Sequence, residues 1–294
     1  MRKFIKNILR FLFILFFYKV LVLVYCYYSL PQENRLTSFY GEYHPELPSV
    51  TIAGASNLVY NYDFEWLNAN NDNYNFIGCY LNEPSGLLST LNKCRNLDLK
   101  ENDILVLCLP YSFYESDKFL PFKNELKIGY SKKLFQEALT NFPYYTLKNI
   151  NNISLLDLGK IAKQGKPTSD TQNQFELIPP QHTDSLYQTC WTNSEDNFAI
   201  KSNTFDEAYM RRIFESLKTM FHCKILFRFP VVKEGEYVLN EERIKFMEAN
   251  FNCINKFDDS IYPHKFWYNQ WYHLNACGAK LCSDKLIKEL NLSL

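Results

Sequence analysis

Three segments of this 294-residue chain end on residues able to do chemistry. The apolar run 50–55 delivers Gly54-Ala55-Ser56-Asn57, placing Ser56 at a strand-to-helix turn with its hydroxyl exposed and its N–H at a helix start. A serine there is a nucleophile candidate or a plain helix cap, and the residue alone leaves both readings open. The run Asn75-Phe76-Ile77-Gly78 ends on a glycine, which lets backbone approach a ligand closely. Late in the chain, Tyr272-His273-Leu274-Asn275-Ala276-Cys277-Gly278 offers an imidazole just before the last helix. Flanked by Trp271 and Tyr272, His273 reads as a proton acceptor or equally as a buried, hydrogen-bonded core residue. His222, at a helix end, and His264, in a proline-containing loop, read as structural.

These segments sit in an alternation of strands and helices. Runs 50–55, 75–80, 103–110 and 224–232 read as strands, and the near-continuous apolar character of 103–110 is that of a parallel strand covered on both faces. Residues 57–68, 86–93, 240–252 and the stretch from about Gly278 read as helices, the last gathering Ala279, Cys282, Leu286 and Leu290 on one side. Thr204-Phe205-Asp206-Glu207 reads as a capping box ahead of Met210, Ile213, Phe214, Leu217 and Phe221 at helical spacing. The pattern predicts an α/β fold, a three-layer α/β/α sandwich with a mostly parallel sheet, over one domain, 50–294. In such a sheet the ligand crevice lies beyond the carboxyl ends of the strands. A polar Pro-, Ser-, Thr- and Gln-rich insertion at about 164–203 has the length of a functional lid or a surface excursion. His182, within it, stands where it would line a cleft.

In order along the chain, GASN, NFIG running into Ser85-Gly86-Leu87-Leu88, DILVLCLPYSFYE and YHLNACGAKL resemble the four sequence blocks of the SGNH (GDSL-like) hydrolases, a superfamily with a flavodoxin-like sandwich. The resemblance covers most of 50–115 and 205–292. It is closest to membrane-anchored members associated with cell-envelope polysaccharides and, distantly, to the D-alanine transfer proteins of teichoic acid synthesis. It implies Ser56 as nucleophile, His273 as base, and the Ser56 and Gly78 N–H groups as oxyanion donors, with Tyr111 or Ser112 where the family has an asparagine. Asn269 and Gln270 stand where the family places the aspartate that orients the histidine, and Asp258 and Asp259 are the carboxylates next upstream. The implied function is a serine esterase or O-acyltransferase, without cofactor, acting on acyl esters of a cell-envelope glycan or glycopolymer. The amides at the acid position imply an alternative, a catalytically degenerate relative that binds polymer or scaffolds an envelope-synthesis complex with partner proteins.

Composition narrows the field. Lys plus Arg and Asp plus Glu balance at 32 each, so no net field draws the protein to nucleic acid. The nine cysteines form no CxxC pair and no Cys/His cluster at ligand spacing, so neither a metal site nor a disulfide framework is expected. Residues 1–10, with Arg2, Lys3, Lys6 and Arg10, read as a basic cytoplasmic tail, and 11–28, apolar apart from Lys19, as a transmembrane signal anchor. Lys19 costs about 2.5–3.5 kcal/mol at a helix centre, which the aliphatic residues around it offset. Residues 29–49 read as a tether, giving a single-pass protein of the cell membrane with an extracytoplasmic main domain.

Overall fold

The structure, a computed structural model, describes residues 2–29, 46–80, 94, 99–114, 136, 139–140, 143–144, 187, 189–190, 200–201, 205–235, 237–238, 240–269 and 273–293. Four strands form one parallel sheet: β1 (Ser49–Gly54), β2 (Asn75–Tyr80), β3 (Ile104–Leu107) and β5 (Lys224–Phe227), in the order β2-β1-β3-β5. Register sets their carboxyl ends level, Gly54 beside Tyr80, Ala53 beside Leu107, and Leu107 beside Phe227. The four runs expected to be neighbours are therefore neighbours in one sheet.

Successive strand side chains serve opposite cores, which is why the runs are continuously apolar rather than alternating. Val50, Ile52, Ile104, Val106 and Leu226 pack with α2 (Ser56–Asn61), α3 (Phe64–Ala69) and α6 (Ala276–Ser293). Ala53, Leu105, Leu107 and Phe227 pack with α4 (Glu207–Met220) and α5 (Glu241–Asn250). Helices thus lie against both faces of a mostly parallel sheet. Short strands complete the chain: β4 (Ile200–Lys201) pairs with β7 (Tyr237–Val238), β6 (Val232–Lys233) with β8 (Ile261–Tyr262), and β9 (Trp267–Asn269) with β10 (His273–Leu274).

Local signals differ from expectation at three places. The helix expected over 57–68 is broken at Tyr62–Asp63, because the Asp63 carboxylate caps a second helix by accepting the Trp66 N–H at 2.9 Å. Asp206 caps α4, accepting the Tyr209 N–H at 2.9 Å, and Thr204, where the capping box was expected to begin, lies outside the described residues. The last helix begins at Ala276, ahead of Gly278, because Asn275 accepts the Gly278 N–H at 3.0 Å. The helix expected at 86–93 lies outside the described residues.

The N-terminal helix α1 runs Arg2–Ser29. Large apolar side chains from Phe4 to Val24 are exposed on it, while Tyr18 is half-buried against the core. Among the described residues no helix is long and apolar enough to cross a membrane. The described side chains include Lys3, Lys6, Arg10 and Lys19, and those from Tyr25 to the end of the run lie outside them.

Candidate functional site

Ser56 opens α2 two residues beyond the end of β1, half-buried at the carboxyl edge of the sheet. The residues beside it are pinned. Asn57 is fully buried; its Oδ1 accepts the Ala55 N–H at 2.9 Å and its Nδ2 donates to the Cys108 carbonyl at 2.9 Å. Gly54 has no room for a side chain, since a Cβ there would meet the same Cys108 carbonyl at 3.0 Å and the Leu58 Cβ at 3.1 Å. The turn carrying Ser56 is therefore fixed against the chain leaving β3.

One helical turn after Ser56 comes Tyr60, and residues four apart on a helix are surface neighbours. The Tyr60 ring stacks on His273, with centroids 4.1 Å apart and planes 24° from parallel. The next residue, Asn61, is buried, and its Oδ1 accepts the Leu274 N–H at 2.9 Å. A stack and a hydrogen bond thus join α2 to β10, and His273 is brought onto the helix that Ser56 begins. His273 is only 4 % exposed, and burial lowers its pKa from 6.5 to about 3, so the ring is neutral at ordinary pH.

Two more tyrosines close around this stack. Tyr268, on β9, lies 5.8 Å from Tyr60 in a stacked arrangement. Tyr187, from the insertion, meets Tyr60 edge-on at 6.1 Å and Tyr268 edge-on at 5.6 Å. Its segment is bolted down by a disulfide between Cys190 and Cys277, residues 87 apart in sequence. The cysteine pattern gave no expectation of this bridge, and the structure corrects that reading. Asn275, completely buried, donates through Nδ2 to the Cys190 and Lys265 carbonyls, both at 3.0 Å, while its own N–H reaches the Phe266 carbonyl at 2.8 Å. In the His-Leu-Asn sequence the asparagine is thus the junction that holds the site's surroundings.

The other expected site residues fall elsewhere. Gly78 stands opposite Ile52, two residues short of the end of β2, so its N–H is set back from the turn that carries Ser56. Tyr111 is buried in the core on the α4 and α5 side, edge-on to Phe257 at 6.5 Å. Ser112 follows in the same 3-10 turn, Tyr111–Tyr114. Asn269 is the register partner of His273 across the β9–β10 pair, and Gln270 lies outside the described residues. Asp258 and Asp259 are exposed on the turn Phe257–Ser260, where Asp259 accepts the Lys256 N–H at 3.2 Å. His222 and His264 are exposed, and His182 lies outside the described residues. Among the described residues no group of His, Cys, Asp and Glu side chains is placed to hold a metal ion.

Beneath the site runs a buried polar network. Arg228 makes a paired contact with Glu289, Nε to Oε2 at 2.6 Å and Nη2 to Oε1 at 3.2 Å. Its Nη1 donates to the Tyr62 hydroxyl at 2.9 Å, and that hydroxyl reaches the Cys108 sulfur at 3.2 Å. Burial pushes the Cys108 thiol up to about 11, the nearby Arg228 charge offsetting part of the shift, so it is a neutral partner. The network links α6, α2 and the end of β3, the segments around Ser56.

No family model matches this sequence, and no curated protein and no solved structure matches it either.

Proposed function

We propose that this protein is a membrane-anchored, SGNH-like serine esterase or O-acyltransferase acting on acyl esters of a cell-envelope glycan or glycopolymer. The observation that carries the reading is the stacking of His273 on Tyr60, one turn along the helix that Ser56 begins. In this reading Ser56 Oγ attacks the acyl carbon while the neutral His273 ring takes its proton. The developing oxyanion is met by the Ser56 N–H, the ester C–O bond breaks as the imidazolium gives its proton to the departing alcohol, and the acyl group then passes from Ser56 to water or to an acceptor hydroxyl. Gly78, Tyr111 and Ser112 enter only through the family resemblance. The α/β/α sandwich of that family agrees with the strand order and with helices on both sheet faces. An anchor through α1 is supported by the 11–28 run and by the exposed apolar side chains of that helix. An extracytoplasmic main domain is supported by the Cys190–Cys277 bridge, since disulfides persist in oxidising compartments.

A second reading, a catalytically degenerate polymer-binding or scaffolding relative, is favoured by the imidazole itself. Burial holds the ring near 3, and a ring so held is a weak base at neutral pH. One experiment separates the two. Membranes from cells making the full chain are treated with a fluorophosphonate probe. The enzyme reading expects a labelled band that stays with the membrane through alkaline carbonate and vanishes in Ser56→Ala at unchanged melting temperature. Absence of label on folded wild-type protein leaves the scaffold reading standing, and label released by carbonate removes the anchor.

A further inference from the structure

Ser56 and Tyr60 are the two residues of α2 that are not buried, and they stand four apart, on one side of the helix. The other side is held at both ends. Near its start, Asn57 donates to the Cys108 carbonyl and accepts the Ala55 N–H, each at 2.9 Å. Toward its end, the Asn61 Oδ1 accepts the Leu274 N–H at 2.9 Å. One residue further, the Tyr62 hydroxyl bonds the Cys108 sulfur at 3.2 Å and receives an Arg228 N–H at 2.9 Å. Cys108 thus grips α2 through its carbonyl at one end and its sulfur at the other. A short helix clamped in this way has little freedom to slide or roll, so Ser56 and the Tyr60 backbone keep a fixed relation.

The Tyr60 ring carries that fixed relation to the imidazole. Its centroid lies 4.1 Å from that of His273 with the planes 24° from parallel, closer than its contacts with Tyr268 at 5.8 Å and Tyr187 at 6.1 Å. An imidazole reorients by turning about its Cβ–Cγ bond, which tilts the ring plane, and a flat neighbour at this distance opposes the tilt. A stack engages only the face of the ring. Both nitrogens point outward in the plane, so the contact leaves their hydrogen-bonding capacity intact. We propose that Tyr60 is a positioning residue for His273, its ring setting the plane of the imidazole and its place relative to Ser56. The group proposed as base is then placed by the same helix that carries the proposed nucleophile, and the ring of Tyr60, not its hydroxyl, does the placing. The consequence for turnover rests on the proposed function, whereas the positioning itself does not.

The test compares Tyr60→Phe and Tyr60→Leu with the wild type, on the full chain in detergent, by two readouts. The first is the mobility of the His273 ring, from carbon relaxation of its Cε1–H bond in protein made with labelled histidine, His273→Gln assigning the signal. The second is fluorophosphonate labelling of Ser56, resolved into a limiting rate and a half-saturating probe concentration. Tyr60→Phe keeps the flat face and should match the wild type in both, its limiting rate within about twofold. Tyr60→Leu should loosen the ring and lower the limiting rate about tenfold or more at an unchanged half-saturating concentration, as when geometry rather than binding is lost. Its circular dichroism should match the wild type. Should it fail to fold, Tyr60→Met, whose flexible chain fills irregular gaps, takes its place with the same expectations. The proposal is overturned if the ring is as rigid in the folded variant without an aromatic as in the wild type, if that variant labels at the wild-type rate, or if Tyr60→Phe behaves like Tyr60→Leu. A wild type that takes no label removes the enzyme reading, and ring mobility then decides the positioning by itself.

Discussion

The two faces of the sheet are held by different forces. On the α4 and α5 side, Phe251 is the centre of a cluster, stacked on Phe227 at 4.2 Å and on Phe214 at 5.4 Å and edge-on to Phe246 at 6.2 Å. On the α2 and α6 side, the apolar core is threaded by Arg228, its side chain 1 % exposed, reaching Glu289, Tyr62 and the Cys282 sulfur. Asp284 takes the Trp66 indole N–H at 2.7 Å, and the Asp63 N–H donates to Ser283 at 3.0 Å. Aromatic pairs prefer stacked or edge-on arrangements but tolerate a range of separations and tilts, whereas a two-pronged guanidinium contact fixes distance and angle together. A buried ion pair contributes little net stability over an apolar replacement, so its effect is best sought in register. The α4 and α5 side has a buried arginine too, Arg243, whose Nη1 donates to the Tyr111 carbonyl at 3.4 Å, but the paired guanidinium–carboxylate contact is on the face whose helices carry Ser56 and abut His273.

The largest expected effects come from cutting each face at its centre. Glu289→Ala leaves a buried guanidinium without its carboxylate and is expected to cost about 3–5 kcal/mol. Phe251→Ala removes the middle of the aromatic cluster and is expected to cost about 3–5 kcal/mol as well. The comparison is sharpened by a second readout, the ring-proton shifts of His273, which feel the Tyr60 ring. Glu289→Ala should move them and Phe251→Ala should not, and the paired change Arg228→Met with Glu289→Leu should recover much of the stability without restoring them. If Phe251→Ala displaces the His273 signals equally, the two faces position the site alike and the distinction collapses.

A smaller effect follows from the burial of His273. Its folded pKa is depressed, so its contribution to stability is complete above the unfolded value of 6.5 and is lost as pH falls toward about 3. From pH 7 to pH 5 the loss is about 2 kcal/mol, because the unfolded ring takes up a proton that the folded ring refuses. Thermal melts of the wild type and His273→Gln across this range should converge in acid, the variant lacking that component. Parallel curves would mean that the ring is hydrated in solution.

How much of this was legible in the sequence depends on the range of the signal. The four core strands were readable because burial on both faces leaves continuous apolar runs, and 75–80 matches β2. The break between α2 and α3 was not, since 57–68 is uniformly helix-compatible and the break is fixed by Asp63, whose N–H is held by Ser283 from the far end of the chain. Thr204 and Asp206 are both good caps, and composition alone does not choose between them. Ser56 and His273 were singled out, and Tyr60 was within reach as the residue four beyond Ser56. The Cys190–Cys277 bridge was not within reach, because it joins an insertion to a helix start across a separation that no spacing rule marks. Asn275 was read as part of a motif around His273, whereas its complete burial makes it the junction itself.

The smallest expected effects make the finest version of the comparison, because they perturb a helix start on each face by similar amounts. Gly278 sits in the first turn of α6, where a Cβ would meet the Phe266 carbonyl oxygen at 2.8 Å, the Phe266 Cβ at 2.9 Å and the Leu274 Cβ at 3.0 Å. All three of those neighbours are backbone or the side-chain carbon next to it and yield little. Gly278→Ala therefore costs about 1–3 kcal/mol in overpacking, against which alanine returns about 1 kcal/mol of helix propensity, leaving a net loss near 1 kcal/mol. Asp206→Ala removes the cap of α4 and is expected to cost about 1 kcal/mol as well. Their consequences for the site should differ. The Phe266 carbonyl pressed by the new methyl also accepts the Asn275 N–H, and Leu274 adjoins His273, so Gly278→Ala shifts β10 against α2. Asp206 lies on the opposite face, whose aromatic cluster yields locally. Gly278→Ala should therefore move the His273 ring signals and slow any fluorophosphonate labelling of Ser56, while Asp206→Ala changes neither at the same melting temperature. Equal behaviour of the two variants would show that the site tolerates small displacements of α6, and that the directional bonds of its face serve stability rather than register.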